Sequence, residues 1–329
     1  MVYEYKKISI DSYLKSLYKD DLKRSNILTH DEIINLISDI GVFRLKGYIK
    51  AFRDNLNNYS IDDLFNLYEI DRKISLNMFN LVSKIEIKLK ANLIEVAYGL
   101  TDNPFFYLLK ESYIEDFTID EKSLESWKIK NEDSIRKREI YLHYRDYYLQ
   151  KYSFSKNLEK YIKDKELIKI KDYINYPPFH YFIEDLTLGS LINILSKLKI
   201  HNQKILQVVS KRFNIYNSEV FLKYLLRVKE VRNRCAHNDR LFNRNYRGVR
   251  AFGKHKEYRR VVFEHKLIDV YCSLNFLIYG EHKFNTTNEL IDEFIEEILL
   301  CGDEKIKDWI LRIVKKSDKV SVQAEAYRR

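Results

Sequence analysis

The sequence predicts an all-α protein, and three observations carry that prediction. Glycine and proline are scarce, 8 and 3 in 329 residues, which suits helices better than a fold of short strands and tight turns. Apolar residues recur every three or four positions through most of the chain, the period of a helix with one buried face. No stretch shows the strict alternation of a half-buried strand. A hydrophobic fraction of 45% is enough for a folded core, and the length suits one large domain or two smaller ones.

The elements follow from local signals. Residues 11–19 read as a short helix. Thr29 with Glu32 makes a capping box that opens DEIINLISDI, and Gly41 stops it. An aromatic and basic segment, VFRLKGYIKAFR, surrounds Gly47. Ser60 with Asp63 caps the next helix, and Ser75 is read as the cap of a further long one that Gly99 ends. Asn103-Pro104 breaks the pattern. Residues 110–172 are rich in charge and tyrosine and are read as a helical insertion, with helices near 119–150 and 155–173. Tyr176-Pro177-Pro178 is a rigid boundary. Beyond it helices are expected over 179–198, with Gly189 inside, and over 203–213, 217–236 and 256–279, the last ended by Gly280. Two more are expected, one from the Thr286–Glu289 capping box to Cys301-Gly302 and one over 303–316. The organisation expected is an N-terminal helical region over 1–99, an insertion over 100–175, a helical bundle over 176–316 and a disordered tail over 317–329.

Composition narrows the function. A net charge of +10 and a pI near 9.1 fit a partner such as nucleic acid or an anionic membrane, or simply a solvated lysine surface. MVYEYKKISI has no uninterrupted apolar core of a signal peptide, and no apolar run approaches the ~20 residues needed to span a bilayer. A cytoplasmic protein without membrane association is therefore expected. Cys235, Cys272 and Cys301 lie far apart in apolar helical patterns and read as small core residues in a reducing compartment. No Cys/His spacing suggests zinc, and no metal or cofactor is expected.

The informative stretch is 217–245, NSEVFLKYLLRVKEVRNRCAHNDRLFNRN. Asn217 or Ser218 can cap its helix. At about 100° per residue, Phe221, Leu225, Val228 and Cys235 share a face flanked by Tyr224, Val231 and Ala236. Lys223, Arg227, Glu230 and Arg234 fall on the opposite side, read as solvated. Arg232 falls within the apolar stripe. A guanidinium is costly to bury unpaired, so Arg232 needs a partner, a wet cleft or an anionic ligand. Four residues separate it from His237, which would point about 140° away on a continuous helix. The two converge only if the helix ends there or a second subunit supplies one of them. An arginine snorkelling at the bundle edge and a histidine C-cap would fit the same pattern. Spacing alone is weak, because Arg138–His143, Arg250–His255 and Arg260–His265 repeat it. Downstream, Arg240, Arg244, Arg247, Arg250, Lys254, Lys256, Arg259 and Arg260 alternate with Phe242, Tyr246, Phe252 and Tyr258. Basic groups track phosphates while aromatics stack on unpaired bases. Arg234, Asn238, Arg240, Arg244, Tyr246, Arg247, Arg250, Lys254 and Arg259 are the candidate RNA contacts.

The run RNRCAHNDRLFNR (232–244) resembles the signature of the AbiD/AbiF-type abortive-infection proteins of the HEPN superfamily. IGVFRLKGYIKAF (40–52), LYEIDRKISLNMFNLVSKIEIKLKANL (67–93) and YPPFHYFIEDLTLGSLINIL (176–195) resemble further segments of that family. Phe179 and Phe242 stand where the family pattern usually has tryptophan. The resemblance implies a HEPN-type helical bundle in the C-terminal half and a metal-independent endoribonuclease. Arg232, Asn233 and His237 would be its catalytic residues. It further implies a homodimer that unites two motifs in one composite site, and a small noncoding RNA as a possible restraining partner. The chemistry agrees. Histidine, with a reference pKa near 6.5, can take the 2′-hydroxyl proton or protonate the leaving 5′-oxygen. A planar guanidinium can hold phosphate oxygens as charge builds. The products would be a 2′,3′-cyclic phosphate and a 5′-hydroxyl. A non-catalytic RNA-binding or scaffolding protein is the alternative, and a purely structural bundle with a basic surface the third reading.

Overall fold

A computed structural model describes residues 9–114, 160–168, 178–250, 262–263 and 267–280. The axis of the fold is α4 (Ile61–Tyr98), a single helix of 38 residues and about 57 Å. Ser60 and Asp63 form the capping box that starts it. With neither glycine nor proline inside it, nothing stops the ladder before Gly99. Ser75 therefore does not begin a new helix: it is buried mid-helix, and two expected helices are one. Ile74, Met78, Val82, Ile85, Leu89, Leu93 and Val96 face inward at helical spacing.

Ahead of α4 lie α1 (Ile10–Lys19), α2 (His30–Ile40), opened by the Thr29–Glu32 capping box, and α3 (Val42–Phe52). After the break at Asn103-Pro104, short 3-10 turns at Phe106–Leu108 and Lys110–Ser112 bury Phe106, Tyr107 and Leu108. Tyr107 stacks on Phe182 at 4.4 Å, and Phe106 lies 4.6 Å from Phe179.

The expected helix over 179–198 is two: α5 (Phe179–Asp185) and α6 (Leu188–Lys197). The Thr187 oxygen accepts the Ser190 amide and starts the second helix at its own N-cap. A hairpin of β1 (Lys199–Ile200) and β2 (Gln203–Lys204) follows. Its two-residue turn, His201-Asn202, has φ of 47° and 64°, as a type I′ turn requires. Next come α7 (Ile205–Arg212), α8 (Ser218–Ala236), β3 (Val249–Arg250), β4 (Val262–Phe263) and α9 (Leu267–Tyr279). β3 and β4 pair antiparallel. Residues 262–263 are thus strand rather than the early part of a helix over 256–279, and strands of two residues are too short for an alternation test to find. The fold remains all-α in class, as expected.

α8 and α9 both pack on α4 and touch each other, with α6 and α7 alongside α8. Buried residues from the N-terminal helices, the 105–113 segment and α5 to α9 form one continuous core. Lys88 reaches from α4 to the end of α9, where its ammonium donates to the Leu277 and Ile278 carbonyls at 2.9 and 2.8 Å. Phe179 and Phe242 are both core residues. Cys235 and Cys272 are buried thiols, and burial pushes the Cys272 thiol up to about 12. Among the described residues, no helix is long and apolar enough to cross a membrane. Most of the expected insertion helices, the helices beyond 281, the tail and Cys301 lie outside the described residues.

Candidate functional site

The candidate site is the C-terminal turn of α8 and the loop that leaves it. Asn217 caps the helix start, its side chain accepting the Glu219 and Val220 amides. The far end is a Schellman closure. Asn238, at φ 53°, takes the left-handed position. The Asn238 amide donates to the Cys235 carbonyl at 3.1 Å, and the Asp239 amide to the Arg234 carbonyl at 2.8 Å. His237 is the C-cap, exposed, its amide donating to the Asn233 carbonyl at 3.0 Å. The helix therefore ends at Ala236.

Because Asn238 sits in the left-handed region, Asn238→Gly is expected to change stability by less than about 0.5 kcal/mol. Asn238→Val forces a β-branched residue there and is expected to cost about 1–2 kcal/mol. Urea unfolding of the two variants beside the parent checks this.

Arg232 and Asn233 are half-buried on the last turns of α8. Among the described residues, the side chains of Arg232, Asn233 and His237 make no hydrogen bond or ion pair. Arg234, one residue on from Asn233, is engaged. Arg234 pairs with Glu230 at 3.0 Å and lies over the Tyr246 ring. Tyr246 is buried, its hydroxyl donating to the Leu241 carbonyl at 2.8 Å. The expectation that Tyr246 stacks on a base is corrected: its ring belongs to the loop's own packing.

The buried arginine of α8 is also not the one its helical wheel suggested. Arg227, read as solvated, is fully buried. Its Nε donates to the Arg247 carbonyl at 2.6 Å, and Nη1 to the Asp269 carbonyl at 3.2 Å and the Ser273 hydroxyl at 3.0 Å. Burial pulls its pKa down to about 10, so it stays charged at neutral pH. At Arg227 the polar side of α8 is covered by α9 and by the loop at Arg247. Arg232, near the open end of the helix, stays half-exposed instead.

The loop 238–242 is held by residues that sequence reading missed. Asp71, on α4, is fully buried. Its Oδ1 accepts the Phe242 amide at 2.8 Å and the Leu241 amide at 3.2 Å; its Oδ2 accepts the Tyr48 hydroxyl at 2.6 Å and Arg72 Nη2 at 2.8 Å. Arg72 continues outward, Nη2 donating to the Asp239 carbonyl at 2.9 Å and Nη1 to Asn238 Oδ1 at 3.4 Å. Burial works against the charge on Arg72, but the Tyr48 and Asp71 oxygens hold its pKa above the usual value. Burial first, then Asp71, pushes the Tyr48 hydroxyl far up, so it remains a donor. The signal was present in the sequence: Asp71 lies in register with Leu67, Ile74 and Met78 on the apolar stripe, where a carboxylate needs partners as much as Arg232 does.

Arg240 lies against α3, its guanidinium over the Tyr48 ring and beside Gly47. Burial and the neighbouring Arg244 lower its pKa. Two of its guanidinium nitrogens are buried without a hydrogen-bond partner among the described residues. Arg244, Arg247 and Asn238 are exposed. Arg250 falls in β3, while Lys254 and Arg259 lie outside the described residues. The structure thus brings Arg232, Asn233, His237 and Asn238 to one helix end, with Arg240 turned aside onto α3. Among the described residues, no three His, Cys, Asp or Glu side chains come together in a metal-ligating group.

No curated protein and no solved structure matches the chain. A family model does, over residues 35–243, well over half of the chain, from α2 through α8 to the loop behind His237. The chain belongs to the family of Abi-like proteins, which associates it with abortive infection in phage defence.

Proposed function

We propose that this Abi-like protein is a metal-independent endoribonuclease of phage defence, of the HEPN type, with Arg232, Asn233 and His237 as its catalytic residues. One observation carries the reading. The fold uses its nearby polar groups, Asp71, Arg72, Arg227 and Arg234, for internal bonds, and among the described residues it leaves these three side chains without partners at the helix end. Histidine at that position accepts the 2′-hydroxyl proton or protonates the 5′-oxygen. Arg232 holds the phosphate oxygens as charge develops, and Asn233 orients the phosphate or the imidazole.

The backbone is helical through Ala236, and His237 follows directly as the C-cap, so it leaves the helix about 140° around from Arg232. That supports a homodimer in which one protomer's Arg232 meets its partner's His237. Histidines from both protomers then serve as base and acid. A regulatory RNA restrains the enzyme until infection. The same separation also suits the second reading, a clamp that holds RNA phosphate without cutting it.

The deciding experiment is cleavage of labelled RNA by the purified protein in excess EDTA. His237→Ala and Arg232→Ala are each expected to lower the rate by at least a hundredfold, the range for loss of an acid–base group or a charge-stabilising donor. RNA binding kept by both variants, with no cleavage by the parent, would favour the clamp.

A further inference from the structure

We propose that an RNA strand entering the Arg232/His237 site runs along the outer face of α6 and is gripped at the far end by the β1–β2 hairpin. This rests on the site meeting RNA and names where the rest of the strand is held. The first observation is a segment whose charged residues are all of one sign. Between Leu186 and Ser218 the chain contains no Asp or Glu, but it contains Lys197, Lys199, Lys204, Lys211 and Arg212. Arg212 is neutralised by Glu95 on α4 at 3.0 Å. The hairpin lysines are not. Lys199 and Lys204 stand directly opposite each other in the β1–β2 register, and among the described residues neither has an ion pair. Like charges opposed across two strands destabilise a hairpin, so the fold keeps an arrangement that an anionic partner would relieve. The turn between them presents His201 and Asn202, both exposed.

The second observation is at the other end of α6. Lys229 of α8 crosses Gly189 so closely that a Cβ there would come within 3.2 Å of its Cε and 3.3 Å of its Nζ. Glycine near the start of a helix costs stability relative to alanine; here it leaves room for the lysine stem. Lys229 lies one helical turn before Arg232 and Asn233 and so neighbours both. Between Lys229 and the hairpin, α6 turns Ser190, Asn193 and Ser196 outward at three-residue spacing, polar and uncharged. The helix spans about 15 Å, the reach of a few nucleotides of a single strand. A track with cations at both ends and neutral hydrogen-bonding groups between them fits a phosphodiester strand. It does not fit a lipid surface, because the one exposed large apolar side chain among the described residues between Leu186 and Ser218 is Tyr216, in the connection between α7 and α8 and not on α6 or the hairpin.

The test measures binding of fluorescent 2′-O-methyl RNA, which cannot be cut through its 2′-oxygen, as a tetramer and as a dodecamer. The proteins are the parent, Lys199→Glu/Lys204→Glu and the milder Lys199→Gln/Lys204→Gln, with circular dichroism confirming that each is folded. The parent is expected to bind the dodecamer at least tenfold tighter than the tetramer. Charge reversal is expected to abolish that gain and to reduce the salt dependence of dodecamer binding by more than the roughly 1.4 log units per log unit of salt that two single-strand phosphate contacts contribute. The glutamine pair should fall between. Unchanged dodecamer binding in both variants overturns the track. So does a hairpin-dependent affinity for phosphatidylserine vesicles with RNA binding unaffected. The site reading is judged separately by His237→Ala cleavage: if that variant cuts like the parent, the catalytic assignment fails whatever the hairpin does. A parent that binds neither RNA also overturns the track.

Discussion

Asp71→Ala is expected to lower the free energy of unfolding by about 3–5 kcal/mol, the cost of breaking a buried charged pair from one side. The carboxylate holds four donors in a space closed to water: Tyr48, Arg72 and the amides of Leu241 and Phe242. Alanine leaves the two amides and the Tyr48 hydroxyl without their acceptor and strips the Arg72 guanidinium of its carboxylate, leaving it only the Asp239 carbonyl, Asn238 and the Tyr48 oxygen. At about 2–4 °C per kcal/mol for a domain of this size, the melting temperature should fall by about 10 °C. The damage should also be local. The amides of Leu241 and Phe242 should lose protection from hydrogen exchange before α4 does, because Asp71 ties the loop to the helix rather than the helix to itself. Thermal melts and amide exchange of the variant beside the parent check both effects.

Arg227→Ala is expected to cost a similar amount, about 3–5 kcal/mol, by a different route. It removes donors from two buried carbonyls and one hydroxyl, Arg247, Asp269 and Ser273, and opens a cavity between α8 and α9. Arg227→Lys should recover only part of the loss, because one ammonium on a thinner stem cannot reproduce a planar fork aimed at three acceptors. Arg232→Ala provides the contrast. Its side chain is half-exposed and bonds to nothing among the described residues, so stability should change by less than about 1 kcal/mol. The two arginines, five residues apart on one helix, should therefore separate: Arg227 governs unfolding and Arg232 governs RNA cleavage. Denaturation and activity measured on the same preparations read the difference.

Much of the fold was legible because its punctuation is local. The Thr29–Glu32 and Ser60–Asp63 capping boxes and the Asn217 cap are read from residue type and spacing, and each forms as written. The same rule misfires at Ser75, where a good capping residue is overruled by uninterrupted helical propensity on both sides. It misses the break at Leu186 because Thr187 lies inside a continuous apolar pattern. At the site, the end of α8 at His237 was legible. The roles of Arg227 and Arg232 were not, because a helical wheel assumes one buried face, and α8 is covered by α4 on one side and by α9 on another. Tyr246 was misjudged for a related reason: an aromatic among basic residues looks like a stacking platform until its hydroxyl finds a backbone carbonyl five residues back. Asp71 lies 170 residues from the amide of Leu241 that it holds, and only the fold reveals that pairing.

The most direct test of the central claim is the chemistry of the ends left on RNA cut by the protein in excess EDTA. Cleavage through the 2′-hydroxyl with His237 as acid or base predicts 2′,3′-cyclic phosphate and 5′-hydroxyl ends, both absent from reactions with His237→Ala. Ends carrying a 3′-hydroxyl and a 5′-phosphate, or cyclic-phosphate ends formed as fast by His237→Ala as by the parent, would contradict it.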